Sequence, residues 1–142
     1  MKTFDWAWKF FCLMGIFFVG TGLYFMLIRP FYIMQPEDIR VAHLTGEQIK
    51  AISPDLFLWL TYVIRAWGSF CLSHGILLFG ISYFGFRRKE KWAYWLLIAA
   101  LNPLLSIFFV IQFLMKADFV VPIITSLIIS LYFFYTTRNT FK

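Results

Sequence analysis

The chain has 142 residues, of which 61% are hydrophobic and only 14% are charged, and its formal net charge is +6. This composition excludes an ordinary water-soluble domain, since a soluble four-helix bundle needs a polar face on every helix. Basic residues crowd the cytoplasmic loops of membrane proteins, so the positive charge indicates a membrane protein rather than a nucleic-acid partner.

Four apolar runs predict four membrane-spanning helices, over about 10–28, 58–86, 92–115 and 119–135. An α-helix needs roughly 20 mostly apolar residues to cross the hydrocarbon core of a bilayer. The rest of the chain is too short for a soluble domain. The sequence therefore predicts an all-α fold, a four-helix transmembrane bundle that forms a single integral membrane domain over residues 1–142, with the lipid bilayer as its main partner.

The longest segment between the runs is the predicted outer loop over 29–55, and it carries two helix-start signals. Thr45-Gly46-Glu47-Gln48 fits a capping box and predicts a short helix over 46–52. Ser53-Pro54-Asp55 fits the first positions of the second long helix, which would begin outside the bilayer. Lys116-Ala117-Asp118 is so short that spans three and four must form a tight antiparallel hairpin.

The lysine and arginine residues predict the orientation of the chain. With the N-terminus inside the cell, cytoplasmic segments carry eight of them and outer segments carry four. Because positive charge favours the cytoplasmic side, we expect a multi-pass protein of the inner (plasma) membrane with both termini in the cytoplasm.

Polar side chains inside a bilayer are costly, so they are the default functional candidates. Counting along each span places six of them near the midplane: Thr21, Ser73, His74, Asn102, Thr125 and Ser126. They could line a small polar cavity in which His74 carries a proton or anchors a ligand. Alternatively, they hydrogen-bond between helices, at about 0.6 kcal/mol each, and only hold the bundle together. We favour the second interpretation.

Arg65 and Gln112 form a second candidate group near the outer ends of spans two and three. A functional interpretation is contact with an anion or a lipid headgroup. A structural interpretation is that Arg65 anchors the helix at the membrane interface or forms an ion pair. Its candidate partners in the outer loop are Glu37, Asp38, Glu47 and Asp55.

Small residues and cysteines complete the inventory of the spans. The glycines of spans one and two, Gly15, Gly20, Gly22, Gly68, Gly75, Gly80 and Gly85, predict close helix contacts. Cys12 and Cys71 should differ in depth by roughly 20 Å, which excludes a disulfide between them within one chain. No phosphate-binding loop, nucleophile elbow or zinc-protease motif is present in the sequence, so no catalytic residue, cofactor or metal site is predicted.

The string Gly85-Phe86-Arg87-Arg88-Lys89-Glu90-Lys91-Trp92-Ala93-Tyr94-Trp95 resembles the second cytoplasmic turn of uncharacterised bacterial four-span membrane proteins. That turn reads approximately FRRGERWAW, and this chain has Lys89 where the family pattern usually has glycine. Thr45, Gln48 and Pro54 also resemble the end of the family's outer loop. The resemblance implies the four-span architecture and carries no activity over to any residue.

Two functional hypotheses follow from the sequence. The first is a non-enzymatic membrane protein, either a subunit of a complex with other membrane proteins or a binder of lipid or a small lipophile. The second is a small transporter or intramembrane enzyme that uses the midplane polar layer around His74. Four short spans enclose little volume, so we expect transport to require a homodimer.

Overall fold

The structure, a computed structural model, describes residues 2–141. Its elements are all helical: α1 (Lys2–Leu23), α2 (Pro36–Ala42), α3 (Gly46–Ile52), α4 (Pro54–Gly80), α5 (Lys91–Leu114) and α6 (Val120–Thr137). π-helical segments extend α1 over Tyr24–Ile28 and α4 over Ile81–Gly85, and short 3-10 segments cover Arg29–Phe31, Phe86–Arg88 and Arg138–Phe141. No strand occurs within residues 2–141.

Four of these helices are long and apolar enough to cross a membrane. With their extensions they cover Thr3–Phe31, Pro54–Arg88, Lys91–Leu114 and Val120–Phe141. The predicted fold class, an all-α protein with four candidate membrane spans and a short helix between the first two of them, is therefore confirmed. The first two helices extend a few residues beyond their predicted runs at both ends and the fourth does so at its C-terminal end, whereas the third differs from its run by one residue at each end.

The helix starts in the outer segment agree with the sequence signals, with one addition. The Thr45 hydroxyl accepts from the Gln48 backbone N–H at 3.2 Å, and the Gln48 side chain accepts from the Thr45 N–H at 2.8 Å. Ser53 caps α4 through its hydroxyl, which accepts from the Leu56 N–H at 3.2 Å. The sequence analysis missed α2, whose first turn is held by an Asp38 carboxylate oxygen 3.0 Å from the Gln35 N–H.

Helices α5 and α6 form the antiparallel hairpin that the short connection predicts. The Tyr94 hydroxyl donates to the Phe134 carbonyl at 2.9 Å, and the Ser130 hydroxyl donates to the Asn102 side-chain oxygen at 2.7 Å. As the residue number rises along α5, the number of its partner on α6 falls, so the two helices are antiparallel. Lys116 turns the chain with a positive φ of 51°.

The chain divides into two compact units. One comprises the described residues up to Ile16 and from Ile76 onward, and the other comprises Phe17–Gly75.

The first unit is built around a cluster of aromatic rings to which all four candidate spans contribute. Phe11 stacks on Phe134 with ring centroids 4.7 Å apart, and Phe86 packs against Phe11 at 5.1 Å and against Phe141 at 4.7 Å. Phe141 also lies 4.8 Å from Tyr94. All five rings are buried. The buried Phe141 lies six residues beyond the predicted end of span four, because its 3-10 segment returns the chain to this core.

The second unit contains a close crossing of α1 and α4 at Gly22 and Gly68. A Cβ atom on Gly22 would lie 2.4 Å from the Leu72 backbone nitrogen, and one on Gly68 would lie 2.8 Å from the Gly22 carbonyl oxygen. The two backbones are therefore in contact, as the packing prediction requires. The prediction is wrong for Gly20 and Gly80, because a Cβ on either would meet nothing within 4 Å.

An ion pair joins the end of the first span to the outer segment. The Arg29 guanidinium donates to the Asp38 carboxylate, which also holds the first turn of α2. Arg29 lies over the Phe25 ring at 4.9 Å, and Gln35 donates to the Tyr24 hydroxyl at 2.5 Å. Because both ends of these contacts are partly buried, they fix the start of α2 against the π-helical end of the span.

Candidate functional site

Asn102 is the midplane candidate whose role in the structure is clearest. It is half-buried on α5, and its side-chain oxygen accepts from Ser130, a fully buried hydroxyl on α6. This is an interhelical hydrogen bond of the kind expected from the structural interpretation. Ser130 was not among the predicted residues, although its position on the apolar run of span four made it a polar group in the bilayer like the others.

His74 presents the opposite situation. Its ring meets the Phe18 ring edge-on, with centroids 5.6 Å apart. Its Nε2 atom is enclosed and has no hydrogen-bond partner within residues 2–141. An enclosed polar atom without a partner costs free energy, so this nitrogen is either a ligand contact or a tolerated packing defect.

Within residues 2–141, no hydrogen bond joins the remaining midplane candidates to another helix. Ser73 is exposed, and its hydroxyl donates to the Ser69 carbonyl of its own helix at 2.9 Å. Thr125 is exposed, while Thr21 and Ser126 are half-buried. Thr21, Ser73 and His74 belong to the second unit, whereas Asn102, Thr125 and Ser126 belong to the first. One polar layer made of all six stays a prediction.

Arg65 is exposed and Gln112 is half-buried, and they also belong to different units. No carboxylate in residues 2–141 lies within ion-pair distance of Arg65, and Asp38, one of its proposed partners, pairs with Arg29 instead. Of the two structural interpretations, an interface anchor therefore fits Arg65 better than an ion pair.

The basic turn after span two, which supports the orientation and carries the family resemblance, has a defined shape in the structure. The Lys89 N–H donates to the Phe86 carbonyl at 2.9 Å, and the Glu90 N–H donates to the Gly85 carbonyl at 3.2 Å. Lys89 has a positive φ of 63°, the left-handed conformation usual just after a helix C-terminus. Glycine tolerates this conformation better than other residues do. The family pattern that this turn resembles usually has glycine at the position of Lys89.

This turn places Arg87 beside α1. The centre of its guanidinium lies 4.9 Å from the centre of the Trp8 ring and 5.0 Å from that of Tyr83. A cleft of about 410 Å³ is lined by Phe4, Asp5, Trp8, Arg87, Lys89 and Thr140. A second cleft of about 370 Å³ lies against Tyr83, Arg87 and Arg88. We call the two clefts together the Arg87 cleft, after the residue that lines both of them.

The described residues 2–141 offer no cluster of side chains suited to a metal ion. Within residues 2–141, no three histidine, cysteine, aspartate or glutamate side chains are grouped so that they could hold a metal ion. Cys12 and Cys71 are both buried free thiols. Comparison of the chain with protein-family profiles, with curated proteins and with solved structures finds no match.

Proposed function

We propose that this chain is a non-enzymatic integral membrane protein that binds phospholipid at the Arg87 cleft. The observation that carries the proposal is the cleft itself, where basic and aromatic side chains meet at the end of a candidate span. Amphipathic aromatic rings and arginine side chains prefer the headgroup level of a bilayer. The engagement of Asn102 by Ser130 supports a structural role for the polar groups of the α5–α6 hairpin.

The test is to measure which lipids the full chain retains after extraction from the membrane. The protein is exchanged into a detergent that strips loosely associated lipid and is then examined by native mass spectrometry. We expect a folded chain that keeps about one phospholipid and takes up added phospholipid again after complete removal. A folded, lipid-free chain that takes up no phospholipid would contradict the proposal.

The proposal includes location in the inner membrane of a bacterium with both termini in the cytoplasm. Its support is the basic turn at Arg87–Lys91 and the excess of lysine and arginine on that side. Green fluorescent protein fused to either terminus should fluoresce, since it folds only in the cytoplasm. Alkaline phosphatase fused at the same points should be inactive, and the reverse pattern would invert the orientation.

A second candidate function is proton-coupled transport or an intramembrane reaction that involves His74. The enclosed, unpartnered Nε2 atom favours it, because a bound ligand would supply the missing partner. Under this alternative the substrate would reach His74 within the second unit, beside Phe18.

A further inference from the structure

The guanidinium of Arg87 is held in a fixed place while its edge stays accessible. Trp8 and Tyr83 contribute the two rings, whose centroids are 6.4 Å apart and whose planes are inclined by 70°. Tyr83 is itself stacked on Phe79, with centroids 5.8 Å apart. An arginine that lies over aromatic faces keeps its N–H groups, which point outward in its plane, free to donate. Arg87 remains exposed in this arrangement, so these donors can meet a ligand.

The surroundings of Arg87 are positively charged. Arg88 and Lys89 are exposed neighbours, and the Lys89 ammonium lies 5.5 Å from the centre of the Phe4 ring. No carboxylate in residues 2–141 comes within ion-pair distance of Arg87, Arg88 or Lys89. Asp5 lines the larger cleft and offsets part of the charge, but the cations outnumber it.

The size and walls of the cleft favour a lipid over a free anion. Volumes of about 410 and 370 Å³ on either side of Arg87 lie in the range of small-molecule sites. One wall is aromatic, formed by Phe4 and Trp8, and the apolar part of α1 begins directly after them. A headgroup seated on Arg87 would therefore leave its acyl chains beside an apolar span.

We propose that Arg87, positioned by Trp8 and Tyr83, binds the phosphate of an anionic phospholipid, with Arg88 and Lys89 selecting for the extra negative charge of its headgroup. Arginine presents paired N–H donors that match two phosphate oxygens, which makes it well suited to this contact. The inference rests on the proposed lipid-binding function and adds the lipid class and the residues that recognise it.

The experiment is a lipid titration of the detergent-solubilised full chain by native mass spectrometry, with phosphatidylglycerol and phosphatidylcholine as probes. Arg87→Gln should weaken phosphatidylglycerol binding about tenfold and change phosphatidylcholine binding less than twofold. Arg138→Gln is the matched control, because Arg138 also lies over a ring, that of Tyr135 at 4.5 Å, yet lines neither cleft. It should change phosphatidylglycerol binding less than twofold.

The outcomes separate the two proposals. Retention of lipid without preference for phosphatidylglycerol, or equal effects of Arg87→Gln and Arg138→Gln, would overturn the Arg87 assignment and leave the lipid-binding function intact. Binding of no phospholipid at all would overturn both. If millimolar inorganic phosphate displaced phosphatidylglycerol from the chain, the site would be one for free anions and the lipid assignment would be wrong.

A second variant guards against misfolding. Arg87→Lys keeps the charge but loses the planar guanidinium that lies over the Trp8 and Tyr83 rings. We expect phosphatidylglycerol binding intermediate between those of the unaltered chain and Arg87→Gln. If Arg87→Lys bound phosphatidylglycerol as well as the unaltered chain does, a positive charge at this position would be sufficient for binding. That result would overturn the role of the aromatic rings.

Discussion

Asn102 and His74 differ at the residue scale in whether their polar atoms have partners. The Asn102 side-chain oxygen accepts from Ser130, whereas the His74 Nε2 atom is enclosed without a partner in residues 2–141. Removing a paired group leaves its partner unsatisfied, but removing an unpaired group removes a cost. Apolar substitution should therefore change the free energy of unfolding differently at the two positions, although both are polar residues in apolar runs of the sequence.

We predict that Asn102→Leu lowers the free energy of unfolding by about 0.6–1.7 kcal/mol, because it leaves the buried Ser130 hydroxyl without its acceptor. His74→Phe should change it by less than about 0.5 kcal/mol. Unfolding in mixed micelles with increasing sodium dodecyl sulfate measures both. If His74→Phe were as destabilising as Asn102→Leu, the Nε2 atom would have a partner in the folded protein, and the observation that favours the transport hypothesis would be lost.

The sequence analysis identified polar positions but could not separate these two environments. Spacing along a span gives depth, while pairing depends on which faces of two helices meet. The same limit applies to Arg87. Trp8 and Tyr83 are 75 residues apart in the sequence, and only the packing of α1 against the end of α4 places both rings beside one guanidinium.

At the scale of elements, the strongest constraint is the backbone contact between α1 and α4. Gly68 faces the Gly22 carbonyl and the Met26 backbone, neither of which can move without displacing a helix. Gly80 lies twelve residues further along the same chain segment in open space. The pair therefore distinguishes a glycine required by packing from one that packing does not require.

We predict that Gly68→Ala destabilises the protein by about 1–3 kcal/mol, since the added methyl group would lie 2.8 Å from backbone atoms. Gly80→Ala should be neutral or should stabilise α4 by up to about 1 kcal/mol, because alanine is the better helix former. Thermal unfolding in detergent compares the two variants. Equal destabilisation would mean that the space beside Gly80 is filled in the folded protein.

Local signals explain why some elements were predictable and others were not. The capping box at Thr45 and the cap at Ser53 involve residues only three apart in the sequence, so they can be recognised from the sequence. Helices α3 and α4 begin where these caps predict. Gln35 is not a usual N-cap residue, so α2 went unrecognised. Its first turn depends on Asp38, which is in turn held by Arg29 from the end of the span.

For the whole molecule, composition was sufficient for the architecture. Four apolar runs became four helices of spanning length, since a bilayer leaves a backbone few alternatives to a helix. Composition did not predict the division of the chain into two compact units. The aromatic core of the first unit includes Phe141, which sequence analysis left outside span four because Thr136, Thr137, Arg138 and Asn139 interrupt the apolar run.

The partition into two units also sets an order of events during synthesis. The second unit, Phe17–Gly75, is one continuous stretch, whereas the first needs the start of α1 together with residues that follow Ile76. Domains form as units while the chain emerges from the ribosome. The Gly22–Gly68 crossing can therefore form early, while Phe11 waits for Phe86, Phe134 and Phe141. During that interval the rings of α1 would face acyl chains, which are as apolar as the core that later covers them, so the delay should cost little.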